Sequence, residues 1–209
     1  MPAGGFKTFT AGAVLTASDV NAYLMQGVLV FATESARDTA ISAPVEGMVA
    51  YITAPTVPAA SGASTSVPSG IRTVYNGSVW VCVTPIGAQT NAAGSTTSAS
   101  FTASLSGSPG TNPAVTLTTG TTALISVSSL LYGSTAGNVW MGVAVSGAST
   151  IAASTALSAY NGTSGGIVSS RTFVLTGLTA GSNTFTLNYQ AGAFTGNYQD
   201  RGLIVQGIA

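Results

Sequence analysis

The sequence contains no histidine, and only five acidic and five basic side chains occur among its 209 residues. The absence of histidine excludes Ser-His-Asp and Cys-His nucleophilic sites and removes the commonest metal ligand. Charged residues make up 5% of the chain, whereas an ordinary soluble domain has about 25%. No basic cluster is present to neutralise phosphates, which argues against nucleic-acid binding. We therefore expect a structural or binding protein rather than an enzyme.

Cysteine is nearly absent too. The single residue, Cys82, excludes an internal disulfide and a cysteine-based metal cluster. It lies in the apolar run of residues 79–83, where we expect a buried thiol that packs as a small hydrophobic side chain.

Long hydrophobic runs are also missing, although 45% of the residues are hydrophobic and the mean hydropathy is +0.46. The longest apolar run, residues 27–32, is far shorter than the roughly 18–20 residues of a membrane-spanning helix. Residues 1–9 contain one charged side chain, Lys7, and no apolar core followed by a cleavage site, so no signal peptide is predicted. We expect a soluble protein, made in a cytoplasm and without membrane insertion.

The acidic residues are too dispersed for a carboxylate pair or a calcium site. They are Asp19, Glu34, Asp38, Glu46 and Asp200. Hydrolysis by paired carboxylates and binding of hard cations both need clustered acids. We interpret Asp19 as a helix cap, and Glu34 and Asp38 as solvated residues of a first helical turn. The glycine-rich residues 162–166 lack the lysine of a phosphate-binding loop. We predict no catalytic residue, cofactor or metal.

Helix signals are confined to residues 1–84, which also hold most of the charges. The pattern of residues 16–19 resembles a capping box and predicts a short helix over 17–25. Thr33 or Ser35 can cap a second short helix that ends near Ile41, before Pro44.

The same region contains strand and loop signals. Strands are predicted over 27–31 and 47–53. Residues 54–70 are rich in Pro, Ala, Ser and Gly without periodicity, which predicts an exposed loop. Asn76-Gly77 lies between two β-like runs and predicts a hairpin with a type I′ turn.

The remainder of the chain is β-like. Residues 85–100 contain Gly, Ala, Ser and Thr without charge, which is typical of a flexible or extended linker. Residues 101–209 alternate strand-like runs with turn clusters, including those at 134–138 and 161–166. The runs are 115–118, 123–131, 139–145, 172–175, 184–189 and 203–208. We therefore predict a mainly β protein, with a small α+β module (1–84) followed by an antiparallel β-sandwich or jelly roll (101–209).

Aromatic side chains are the candidates for recognition, because exposed rings stack against sugars. Trp140 lies in an apolar run, where packing in the core or in a subunit interface is the simpler interpretation. Tyr160, Phe194 and Tyr198 lie in or beside glycine-rich turns. These three are the candidate receptor-contact residues.

The uneven distribution of charge predicts self-association. No charged side chain lies between Arg72 and Arg171, and the net charge is zero. Such a surface has little electrostatic protection against association. We expect a homo-oligomer in which identical copies cover much of the β-region.

Five stretches of the first region follow one another in a recognisable order and spacing: residues 9–21, 23–25, 36–38, 46–51 and 75–80. Together they resemble a module at the start of many minor tail and fibre proteins of tailed bacteriophages, particularly those that infect actinobacteria. The resemblance covers roughly eighty residues. A long insertion between Tyr51 and Tyr75 departs from the usual pattern.

Residues 173–175, 178–189 and 201–205 are similar to the β-sandwich tips of phage fibres, of the trimeric jelly-roll type found in tumour necrosis factor and C1q heads. The two resemblances imply a homotrimeric virion component. Its first module would dock to other tail, baseplate or capsid proteins, and its second would project outward, with host cell-wall glycan as a candidate partner. The alternatives are a purely structural capsid fibre or head-decoration protein, and a glycan-degrading tailspike that would need acids the β-region lacks.

Overall fold

The computed structural model of this protein describes residues 11–17 and 28–209. The helix predicted over 17–25 falls, apart from Ala17, outside the described residues. The described chain is mainly β, as predicted. None of its helices has the length and hydropathy of a membrane span.

The strands and helices of the described residues are as follows. The strands are β1 (Leu29–Phe31), β2 (Val49–Ile52), β3 (Ala59–Ser61), β4 (Ser64–Ser66), β5 (Ile71–Tyr75), β6 (Trp80–Cys82), β7 (Ile86–Thr90), β8 (Gly94–Thr96), β9 (Ser106–Gly107), β10 (Ala114–Thr119), β11 (Thr122–Gly133), β12 (Val139–Gly147), β13 (Ala159–Asn161), β14 (Ile167–Thr176), β15 (Gly181–Ala191) and β16 (Gly196–Ile208). Helix α1 spans Glu34–Ala40, and a 3-10 helix spans Thr155–Leu157.

A small α+β module is formed by helix α1 and a sheet of order β1-β2-β5-β6. The predicted cap of the second helix is confirmed: Thr33 is extended, and its hydroxyl accepts a hydrogen bond from the Ala36 N–H at 3.2 Å. Arg37 is buried on the inner side of this helix, with its guanidinium 4.6 Å from the centre of the Trp80 ring. This cation–π contact holds the helix against the sheet.

The hairpin around Asn76-Gly77 is confirmed, but the predicted turn type is wrong. Tyr75 pairs with Trp80, which leaves residues 76–79 as the connection. A type I′ turn needs positive φ at both central residues; Gly77 has a φ of 88°, whereas Asn76 has no positive φ. The Asn76 side chain instead accepts hydrogen bonds from the N–H groups of Ser78 and Val79, at 3.1 and 2.9 Å. This local bonding of an asparagine side chain to the following backbone selects a longer loop.

Residues 54–70, predicted as an exposed loop, contain the strands β3 and β4, and that prediction is wrong. Strand β3 pairs with β10, and β4 pairs with β7. The two strands therefore extend the two large sheets by one strand each. Their small side chains show no periodicity that would predict a strand. These residues become strands because distant strands supply their backbone hydrogen-bond partners.

Residues 85–100, predicted as a flexible or extended linker, form β7 and β8, so this prediction is also wrong. Both strands pair with β16, and Ile86 is fully buried. The boundaries of the predicted domains at 84 and 100 stay a prediction.

The two large sheets confirm the predicted antiparallel sandwich, with the strand order of a jelly roll. One sheet has the order β13-β12-β15-β10-β3 and the other β14-β11-β16-β7-β4. When β7 and β10 to β16 are counted one to eight, the orders become 5-4-7-2 and 6-3-8-1. Most consecutive strands thus lie in opposite sheets, which is the jelly-roll arrangement.

The core lies between the two sheets. Side chains of β11 alternate between half-buried and buried along the strand, with Ile125, Val127 and Leu131 facing inward. Each fully buried aliphatic side chain contributes about 1.5–3 kcal/mol. The same buried cluster includes Ile52 and Ile71, so the α+β module and the sandwich share a continuous core.

Candidate recognition surfaces of the sandwich

No group of three or more His, Cys, Asp and Glu in the described part of the chain could hold a metal. Asp38 is exposed, as predicted, and pairs with its neighbour Arg37 at 2.8 Å. Asp19, the predicted helix cap, lies outside the described residues.

Glu34 is not the solvated residue that was predicted. Its carboxylate accepts hydrogen bonds at 3.1 Å from the N–H groups of Thr56 and Val57 and from the Thr56 hydroxyl. Partial burial raises the pKa of Glu34, but these hydrogen bonds outweigh that effect, and its pKa lies below the ordinary value. The side chain therefore anchors the segment that leads into β3.

Cys82 confirms the prediction of a buried thiol. Its side chain is buried, and its Sγ lies 3.6 Å from the Thr84 carbonyl oxygen. Burial raises the pKa of this thiol, and a neutral thiol is a weak nucleophile.

Two of the three candidate receptor-contact residues do not project outward. Tyr198 is fully buried, and its hydroxyl donates to the Gln190 carbonyl at 2.7 Å. The expectation of an exposed Tyr198 is wrong, because the alternation of β16 turns this position toward the core. Phe194 is half-buried and packs beside the backbone of Gly133 and Gly137.

Tyr160 is exposed and lies beside Trp140. The two residues are cross-strand partners on β13 and β12, and their ring centres are 5.9 Å apart with a tilt of 36°. Trp140 is half-buried and faces outward from the sheet, so packing in the core is the wrong interpretation of this residue. The inward series Val139, Met141 and Val143 was the available signal, since period-two alternation places Trp140 on the opposite face.

Two amide side chains flank the aromatic pair. The Tyr160 hydroxyl donates to Asn138 Oδ1 at 3.0 Å. Gln190, the cross-strand partner of Trp140 on β15, donates from Nε2 to the Ala99 carbonyl at 2.8 Å. Within the described residues, Asn138 Nδ2 and Gln190 Oε1 have no hydrogen-bond partner. Each amide side chain thus has one hydrogen-bonded atom, Asn138 Oδ1 or Gln190 Nε2, and one atom that is available to a ligand, Asn138 Nδ2 or Gln190 Oε1.

The outer face of the β14-β11-β16-β7-β4 sheet is a second candidate surface, called the outer face below. The registers place on it Leu124, Ser126, Ser128, Val168, Ser170, Thr172, Val174, Gly202, Ile204, Gln206, Gly87, Gln89, Ser64 and Ser66. None of these is charged. Val168, Val174 and Ile204 are 78, 51 and 52% exposed. Arg171 pairs with the inward-facing Val127 and so belongs to the opposite side of β14.

Small side chains make the middle of the outer face concave. A depression of about 360 Å³ lies over β4, β7, β11, β14 and β16. Gly87 and Gly202 line it, and the Ser126 and Thr172 hydroxyls meet across two strands at 2.6 Å. An apolar side chain of a partner could enter this depression without displacing a charged group.

Arg201 forms a buried polar cluster that the sequence did not indicate. Its Nη1 donates to the Tyr189 hydroxyl at 2.9 Å, and its Nη2 donates to the carbonyls of Ala92 and Pro109. The Tyr189 hydroxyl in turn donates to Asn112 Oδ1. The cluster joins β15 and β16 to two connecting segments, so it supports the fold rather than a surface.

Alkaline pH is expected to destabilise the protein through Tyr189 and Tyr198. Burial raises the pKa of Tyr189 to about 12, although the Arg201 charge lowers it, and burial also raises the pKa of Tyr198. Because unfolded tyrosines titrate near 10, the stabilisation is complete below about pH 10 and is lost as pH rises toward these folded pKa values.

Denaturant unfolding at a series of pH values, followed with tyrosinate absorbance, measures this effect. Each group contributes a slope of up to about 1.4 kcal/mol per pH unit. Tyr198→Phe is expected to reduce the slope. An unfolding free energy that stays constant above pH 10 would contradict the assignment.

The sequence matches no protein-family model and no curated protein. Solved structures that are similar to part of it include the following two. Eiger TNF from S. frugiperda has a TM-score of 0.37 and 11% identity, over 56% of this chain and 85% of that chain. TmCBM61, solved in complex with beta-1,4-galactotriose, has a TM-score of 0.26 and 11% identity, over 57% of this chain and 68% of that chain. The fold assignment depends on the strand order and registers of this chain itself.

Proposed function

We propose that this chain is a structural component of a bacteriophage virion, a trimeric minor tail or fibre protein. Residues 1–84 attach it to other virion proteins, and the sandwich projects outward and contacts the host surface. The resemblance of residues 9–80 to phage tail modules supports the attachment role. The observation that carries the assembly role is the uncharged outer face.

The outer face lacks the charged side chains that prevent exposed sheets from associating. Val168, Val174 and Ile204 are more than half exposed, and no acid or base separates them. Exposed apolar patches without intervening charge are typical of protein interfaces. Copies of the same chain, arranged about a threefold axis, would remove these side chains from water. Neutral partners also need no charge complementarity.

A non-catalytic role agrees with the distribution of reactive groups. In the sandwich, Asp200 is the lone carboxylate, and it lies in an exposed position on β16. Arg201 is committed to backbone carbonyls and Tyr189. The described residues of the sandwich therefore supply binding surfaces rather than an acid–base pair.

Light scattering of the purified chain tests the proposed assembly. The wild-type protein is expected at three times the chain mass of 20.5 kDa. Ile204→Glu places a charge in the outer face and is expected to reduce the mass to about one third, because desolvating a carboxylate without a partner is costly. Ser146→Glu, on an exposed position of β12, is the control and should stay trimeric.

A wild-type monomer at high concentration would overturn the assembly role, and a trimeric Ile204→Glu variant would move the interface away from the outer face. Cryo-electron microscopy of the virion separates a tail position from a capsid position. Saturable binding of the full chain to host cells would favour the fibre over a purely structural decoration protein.

A further inference from the structure

We propose that Trp140 and Tyr160 form the stacking platform of a binding site for a neutral saccharide. This inference names the ligand class for the host contact in the proposed function and rests on that proposal. The site comprises Trp140, Tyr160, Asn138 and Gln190, and is called the platform below.

The ring of Tyr160 is available to a ligand. Its side chain is 48% exposed, and no other aromatic side chain of the described sandwich is as exposed. Trp140 continues the same aromatic surface at 5.9 Å. The two rings contact each other, and the Tyr160 hydroxyl is bonded to Asn138, so less side-chain freedom remains to be lost on binding. The apolar face of a pyranose ring can cover such a surface.

The amides of the platform supply one donor and one acceptor. Asn138 Nδ2 and Gln190 Oε1 are open within the described chain. Their other ends are held by Tyr160 and by the Ala99 carbonyl, which fixes the direction of both side chains. Sugar hydroxyls both donate and accept, so a saccharide on the rings can satisfy both groups.

The absence of charge selects a neutral ligand. None of the four platform residues is an acid or a base, and neither is any residue of the adjoining segment 161–166. A phosphate, sulfate, carboxylate or ammonium group would therefore lose hydration here without a counter-charge. An extended peptide is disfavoured too, because the N–H of Tyr160 on β13 already donates to Ser169 Oγ and cannot pair with an added strand.

Two neighbouring residues position the platform. A Cβ at Gly162 would lie 2.3 Å from the Tyr160 hydroxyl, so only glycine lets the loop pass this ring in its present place. The ring of Phe194 lies against Gly137, next to Asn138. Phe194 is thus a positioning residue rather than a contact residue.

Binding of the full-length chain to immobilised oligosaccharides tests the inference. The probes are neutral oligosaccharides of glucose, galactose, mannose and N-acetylglucosamine, with sialylated and sulfated oligosaccharides as the charged arm. We expect at least one neutral probe to bind and to change the fluorescence of Trp140. Tyr160→Ala should weaken this binding at least about tenfold, whereas Tyr160→Phe, which keeps the ring, should weaken it less. Tyr51→Ala, which removes an exposed tyrosine of the α+β module, should leave it unchanged.

The inference is overturned by retention of charged probes only, by no retention of any neutral probe, or by equal binding of Tyr160→Ala. If the wild-type protein binds no sugar and Tyr160→Ala lowers the oligomer mass, the platform is a contact between copies of the chain. That result also overturns the inference. Light scattering of the same samples separates the two proposals. A monomer that binds a neutral probe through Tyr160 supports the saccharide site and refutes the proposed trimer. A trimer that binds no neutral probe supports the proposed assembly and refutes the saccharide site.

Discussion

Arg201→Ala is expected to lower the free energy of unfolding by about 3–5 kcal/mol. The side chain is 1% exposed, and it is the hydrogen-bond donor to the Ala92 and Pro109 carbonyls. Each buried carbonyl left without a donor costs about 1–3 kcal/mol. The removed side chain also leaves a cavity beside Tyr189, whose ring centre lies 5.3 Å from the guanidinium carbon.

The direction of Arg201 depends on an irregularity in β16. The register against β11 shifts between Ser128 and Leu130, and Asp200 takes a φ of 51°. A bulge of this kind re-aims the following side chain, so Asp200 faces solvent and Arg201 faces the interior.

Urea unfolding at one protein concentration measures the loss, since assembly would make stability depend on concentration. Arg201→Lys should recover less than half of it, because one ammonium group cannot reproduce the planar fork that reaches several acceptors. Arg171→Ala, an exposed arginine of β14, is the control and should change stability by at most about 0.5 kcal/mol. A loss below about 1 kcal/mol for Arg201→Ala would show that the cluster is not structural.

Asn183→Asp is expected to destabilise the protein by about 3 kcal/mol at neutral pH, although the two side chains have nearly the same shape. Asn183 is fully buried. Its Nδ2 donates to Thr119 Oγ1 at 2.8 Å and to the Thr179 carbonyl at 3.0 Å. Its Oδ1 accepts from the Ser149 N–H at 2.8 Å. Aspartate would turn an acceptor toward the Thr179 carbonyl and bury a charge without a partner.

The same urea experiment gives the measurement, and Asn91→Asp, at an exposed position, is the matched control. The control should behave as wild type, because its amide is solvated. Equal midpoints for Asn183→Asp and wild type would mean that its hydrogen bonds to Thr119, Ser149 and Thr179 do not stabilise the protein.

Local sequence patterns predicted the elements in which the type of each residue matches its own burial or its contact with a residue nearby in the chain. In β11, four of the six inward, buried positions are aliphatic, and four of the six outward positions are Ser, Thr or Tyr. Thr33 caps α1 through a hydrogen bond three residues away, so a short window of sequence is sufficient to predict it. The apolar run around Cys82 likewise predicted a buried thiol.

Contacts between distant residues could not be predicted in this way. Strands β3, β4, β7 and β8 consist mostly of small side chains without periodicity, and their backbone partners lie far along the chain. Tyr160 is exposed and Tyr198 is buried, although both residues adjoin glycine-rich turns. The pairing of Trp140 with Tyr160 depends on the register of β12 with β13.

The sequence by itself determined that the chain is mainly β, that reactive side chains are few and that the β-region is almost uncharged. Only the tertiary structure decided where that neutrality is displayed: on the outer face, with Val168, Val174 and Ile204, and at the platform of Trp140 and Tyr160. It also decided that Arg201 is interior. The physical reason is that composition counts side chains, whereas strand register and the bulge at Asp200 decide which face each side chain occupies.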